Sequence, residues 1–137
     1  MNYLHILLAG FCAFVAYMAT GGVMFAALPM LKAEAAKYPA VYRSHEGIMR
    51  LMPAGMVAML VSMMVLAVIW AKMYPAGAGW MQGLQYGALV GVFFEGSFVV
   101  HNWVNLNIGG KLTLQQAAAY FVEWTVVGLV IGSIYKP

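Results

Sequence analysis

Four apolar runs, each long enough to cross a bilayer, take up nearly the whole of this 137-residue chain. A helix needs about 20 mostly apolar residues to span the hydrocarbon. The runs predict helices over residues 3–31, 47–73, 79–105 and 113–135. The fold class is therefore all-α: an integral membrane, antiparallel bundle of four transmembrane helices. It forms a single transmembrane domain over residues 1–137. Composition agrees, with 64% hydrophobic and only 8% charged residues, against about 25% charged in a soluble domain. No stretch of useful size is left for a soluble domain.

The net charge of +3 is not a nucleic-acid signal, because its distribution follows topology. Lys32, Lys37, Arg43, Arg50 and Lys111 fall on one side of the predicted bundle, while only Lys72 and Lys136 fall on the other. The positive-inside rule then puts loops 32–46 and 106–112 in the cytoplasm and both termini outside. The first run follows no Lys or Arg and exceeds a signal-peptide core in length, so it reads as a retained span. Loop 32–46 is basic and carries Tyr38 and Tyr42. It should lie at the headgroup level, with membrane lipids as its partners. The single cysteine, Cys12, has no internal partner and reads as a small buried residue.

Punctuation within the runs is sparse. Pro29 stands near the exit of the first helix and Pro53 in the first turns of the second. The short connection at 74–78 should make the second and third helices antiparallel neighbours. Thr113 with Gln116 has the capping-box pattern that opens a helix.

Small residues dominate the third and fourth helices. Gly79, Gly83, Gly87 and Gly91 recur every four residues, and Gly128 and Gly132 repeat the spacing. Such a ridge lets a second backbone come close, so these six are the candidate helix-packing residues. Met49, Met52, Met56, Met59 and Met63 form a stripe on the second helix. Thioethers suit Cu(I), but no His or Cys joins the stripe within the membrane. Adaptable packing explains it better, and no metal site is expected.

Ionisable groups inside a membrane are costly and often functional. Glu95 lies fourteen residues before Gly109 and Glu123 fourteen after it. If the hairpin centres on Gly109, both carboxyls sit at one depth, on the order of 15 Å from the helix ends. Tyr17 and Ser62 fall near the middle of the first two helices. Asn102 shares the face of Glu95, and Tyr120 that of Glu123. These six form the candidate buried polar site. It admits three readings: protonated carboxyls that fix helix pairing, a proton or cation site, or contacts to a partner subunit or ligand. His101, near the end of the third helix, could ligate haem or a chlorin through a ring nitrogen. A hydrogen-bonded interface residue is the simpler reading. No nucleophile–base pair, phosphate loop or metal-ligand spacing is present, so no catalytic residue is expected.

Two stretches resemble known families. Met-Asn-Tyr-Leu at the start, the glycines 83–91, His-Asn-Trp at 101–103, Gly-Gly-Lys-Leu at 109–112 and Gly128-x-x-x-Gly132 are similar to a family of small bacterial four-helix membrane proteins known as domains of unknown function. That resemblance implies four helices, a bacterial inner membrane and no assigned activity. The segment 41–53 (VYRSHEGIMRLMP) resembles the loop-to-second-helix region of the membrane-associated eicosanoid and glutathione metabolism proteins. Arg43 fits that pattern. Gly47 and Arg50 stand where the family has Asn and Glu, so two of three expected polar contacts are lost. This likeness implies a glutathione-type enzyme acting through Arg43, His45 and Arg50. The expectation from the whole sequence is a non-enzymatic membrane protein, working as a homo-oligomer or as a small accessory subunit among other membrane subunits, with Glu95, Glu123 and the glycine ladder as its interface. Its rival is a proton- or cation-coupled transporter.

Overall fold

The computed structural model describes residues 1–73 and 77–137, apart from the side chain of Phe25. It is all-helical among the described residues. Helix α1 spans Tyr3–Ala27, α2 Pro29–Ala35, α3 His45–Met73, α4 Trp80–Phe94, α5 His101–Asn105 and α6 Gly110–Ile134. A six-residue π-helix, Glu95–Val100, joins α4 to α5. Four stretches are long and apolar enough to cross a membrane: Tyr3–Met24, His45–Met73, Trp80–Asn105 and Gly110–Ile134. The chain is a multi-pass helical membrane protein. Residues 74–76, part of the expected tight turn, lie outside the described residues.

Local chemistry explains where the helices begin and end. Asn2 caps α1 by accepting from the His5 N–H at 3.3 Å, as Asn does well. The first helix stops earlier than its hydropathy suggests. Pro29 forces the preceding residue out of helical geometry, and Leu28 sits at φ −114°, ψ 71°. The chain restarts as the short α2, which packs Leu31 into the protein. The last helix begins at Gly110 rather than Thr113. Extended Gly109 precedes it, so Thr113 lies inside the first turn and returns its hydroxyl to the Gly109 carbonyl at 3.2 Å. Gln116 is not a capping partner; it donates to the Tyr42 hydroxyl at 3.0 Å.

The spans are arranged as α3–α1–α6–α4. Helix α1 packs between α3 and α6, and α4 lies along α6. The sequential neighbours α3 and α4 barely meet. Their link is the Tyr86 hydroxyl, which donates to the Leu66 carbonyl at 3.1 Å, and the Trp70–Tyr86 ring contact at 5.3 Å. A short connection thus set their direction but not their packing, because in lipid no hydrophobic force draws two apolar helices together.

The core is lopsided. Ala9, Ala13, Met63, Ala67, Val127 and Ile131 are essentially inaccessible, and all lie in the half nearer the chain termini. His5 Nδ1 meets the Lys136 carbonyl oxygen there at 2.7 Å, which ties the two termini together. The half nearer the loops is more open, and α3 is exposed at every residue from 48 to 58.

Candidate functional site

The tightest feature is the seam between α4 and α6. A Cβ on Gly83 would lie 2.5 Å from the Gly128 carbonyl oxygen, and one on Gly132 2.6 Å from Gly83 Cα. One on Gly87 would meet the Trp124 carbonyl oxygen at 2.4 Å. Gly91 sees the softer Phe121 ring at 3.2 Å, and Gly79 has open space where its Cβ would be. The ladder is thus spent within the chain on one neighbour, α6. In a bilayer such backbone contact is a main source of helix association.

This seam also fixes the depth of the two carboxyls. Gly87 opposite Gly128 centres the hairpin between Asn107 and Ile108, not on Gly109. Glu95 then lies level with residue 120, three residues or about 5 Å from the level of Glu123. No hydrogen bond or ion pair joins the two among the described residues. Glu123, 5% exposed, turns to α1. There it faces the Tyr17 hydroxyl, and its Oε1 lies 3.1 Å from where a Gly21 Cβ would be. Glu95 is half-buried, opens the π-helix, and leaves Oε1 without a hydrogen-bond partner among the described residues. The structure therefore brings together Glu123, Tyr17 and Tyr120, with Tyr120 in electrostatic range, but not Glu95.

The other expected members scatter. Ser62 is exposed and returns its hydroxyl to the Ala58 carbonyl at 3.0 Å. Asn102 lines a small cavity of about 140 Å³ with Tyr120 and Gln116. His101 is exposed on the outside of the protein. Sequence reasoning missed the aromatic enclosure of Glu123. Trp124 stacks on Tyr17 at 5.4 Å and on Phe94 at 5.3 Å, and Phe94 meets Tyr120 edge-on at 5.1 Å. Gly21 was findable, since it lies four residues from Tyr17 and so shares its face.

The loop side is built as a cap. Glu34, 7% exposed, pairs with Lys37 at 2.8 Å and Lys111 at 3.6 Å. The hydrogen bond from Lys37 holds the Glu34 carboxyl below its ordinary range against the opposing effect of desolvation, and the Lys37 ammonium is raised in return. The Tyr38 hydroxyl accepts from the Gly109 N–H at 3.0 Å. Residues 36–44 are thereby strapped across the start of α6.

Two sets of cavities open around this frame. Beneath the strap lies one of about 580 Å³ whose lining includes Lys32, Arg43, Gln116 and Tyr120. An adjoining one of about 360 Å³ between α1 and α3 shares Arg43 and Ile48 with it. On the opposite flank, α3 and α4 border an apolar groove of about 590 Å³ with Trp124 in its lining. Trp124 is 6% exposed, and its Nε1 has no acceptor among the described residues. Comparison with known protein families, characterised proteins and solved structures finds no match. The site must therefore be read from its own chemistry. Among the described residues no group of three or more His, Cys, Asp and Glu side chains comes together. Arg43, His45 and Arg50 are all exposed, and of the three only Arg43 lines the two loop-side cavities.

Proposed function

We propose that this is a non-enzymatic membrane protein that works in an assembly, as a homo-oligomer or as a small accessory subunit of a larger membrane complex. The observation that carries the reading is the open flank between α3 and α4. Its groove is almost wholly apolar, and its lining includes Trp124 with an unspent indole N–H. Packing and interhelical hydrogen bonds drive association in lipid, the latter at roughly 0.6–2 kcal/mol each. A helix from another subunit seated in the groove would supply the packing. The glycine ladder does not serve this role, because α6 already occupies it. The bacterial inner membrane, with loops 32–46 and 106–112 in the cytoplasm and both termini outside, fits the charge asymmetry.

A photo-crosslinking amino acid at Leu89, on the groove rim and 70% exposed, tests the idea in native membranes. A discrete protein adduct is expected at Leu89 but not at Val23, which is exposed on α1. Lipid adducts alone, or the same adducts at both positions, would sink the proposal.

A second reading has one observation in its favour. Glu123 contacts Tyr17, and Tyr17 and Tyr120 each line a loop-side cavity. A proton or cation site reached from that side has this form. Proton or cation flux in proteoliposomes that Glu123→Gln abolishes would support it, and unchanged flux would remove it.

A further inference from the structure

We infer that the two loop-side cavities form one binding site for an anionic phospholipid, with its phosphate at Lys32 and Arg43 and one acyl chain between α1 and α3. The argument starts from the cations. Of the basic residues near the strap, Lys37 and Lys111 are committed to Glu34. Lys32 and Arg43 make no ion pair with a described residue, yet both line the cavity beneath the strap. Ser44 and Tyr42 belong to the same wall. Arg43 is the hinge of the site, because it also lines the second cavity.

That second cavity has the opposite character. Met52, Met56, Met59, Met18 and Leu51 line it, with Tyr17 and the shared Arg43 as its polar members. Methionine is pliable and fits irregular apolar partners, so three of the five stripe methionines gain a use beyond packing. Met63, at the other end of the stripe, is fully buried in the core. The cavity opens sideways, since α3 is exposed throughout residues 48–58. A cationic mouth at headgroup level continuous with an apolar chamber at acyl depth matches an amphiphile with a negative head. A guanidinium can hold a phosphate through two parallel hydrogen bonds. The combined volume of about 580 and 360 Å³ lies in the range of ligand sites. The acidic residues do not oppose the anion. Glu34 is paired, and Glu46, Glu95 and Glu123 line neither cavity.

Native mass spectrometry of the full chain released from nanodiscs of equal phosphatidylglycerol and phosphatidylcholine reads the occupant directly. One phosphatidylglycerol per chain is expected to be retained over phosphatidylcholine. A cation at a membrane surface contributes about 1 kcal/mol toward an anionic lipid, about fivefold, so Arg43→Gln and Lys32→Gln should each lower retention by at least about that factor. Arg50→Gln, an exposed cation outside both cavities, should leave it unchanged. Gly55 lines the chamber and has nothing within 4 Å of a built Cβ. Gly55→Leu should therefore fill the chamber and displace the lipid with both cations intact. Thermal melting of each variant confirms that it is folded. Equal retention of the two lipids, an Arg50→Gln effect as large as that of Arg43→Gln, or full retention in Gly55→Leu would each overturn the inference. So would displacement of the lipid by millimolar inorganic phosphate alone, which would make this an anion site with no place for the chain.

Discussion

The seam between α4 and α6 can be probed by one methyl group. A Cβ on Gly128 would lie 2.3 Å from both Cα and N of Gly87 and 2.4 Å from the Gly83 carbonyl oxygen. Non-bonded carbons rest about 3.5–4.0 Å apart. The two helices must therefore separate by roughly 1.2–1.7 Å at this crossing. A gap of about 0.5–1 Å already forfeits a quarter to a half of each dispersion contact, so the contacts at Gly83 and Gly132 weaken as well. Overpacking costs about 1–3 kcal/mol where side chains can yield. Here the obstacles are backbone atoms held by two helices, which puts Gly128→Ala near or above 3 kcal/mol, roughly a hundredfold in the folding equilibrium. Gly22→Ala is the control. Nothing lies within 4 Å of its Cβ, and alanine there gains up to about 1 kcal/mol of helix propensity. Reversible unfolding by SDS titration in mixed micelles measures both. Equal stability of the two variants would refute the account of the seam.

Two further outcomes follow from the polar contacts. Tyr17→Phe removes the hydroxyl that faces a buried carboxyl, at a cost of about 0.5–1.5 kcal/mol. The double-mutant cycle with Glu123→Gln should give a coupling of about 0.5–3 kcal/mol, and strict additivity in the same SDS titration would disprove the contact. The strap should loosen in acid. The Glu34 carboxyl is held below its ordinary value, chiefly by Lys37, so its contribution is full above the ordinary carboxylate range of about 4.3 and drains as pH falls through the lower folded value. Lys37 is raised, so its share is lost only as pH climbs past its own folded value, above the usual lysine range. A fluorophore on Ala40→Cys, in a Cys12→Ser background, should gain mobility as pH falls below the ordinary carboxylate range. Glu34→Gln should make the mobile state independent of pH, and an unchanged acid transition in that variant would contradict the assignment.

Sequence by itself determined the elements that depend on local physics. Twenty-residue apolar runs in a chain this poor in charge have one outcome, because lipid leaves backbone groups no partner but their own helix. The glycine spacing marked where two backbones could approach, whereas the first helix, expected to run to residue 31, ends at Ala27 ahead of Pro29. Tertiary structure alone decided rotation and register. The partner of the ladder is the chain's own α6, a choice that many lipid-facing surfaces could satisfy equally in sequence. Counting residues from Gly109 paired Glu95 with Glu123. The glycine seam set the true centre of the hairpin between Asn107 and Ile108, and helix rotation turned Glu123 toward α1. That rotation also placed Arg43 over a methionine-lined chamber and left Trp124 with an unspent N–H beside an open groove. In water, hydrophobic periodicity would have announced those faces. In a bilayer both faces of a helix are apolar, so the sequence carries little record of which one turns inward.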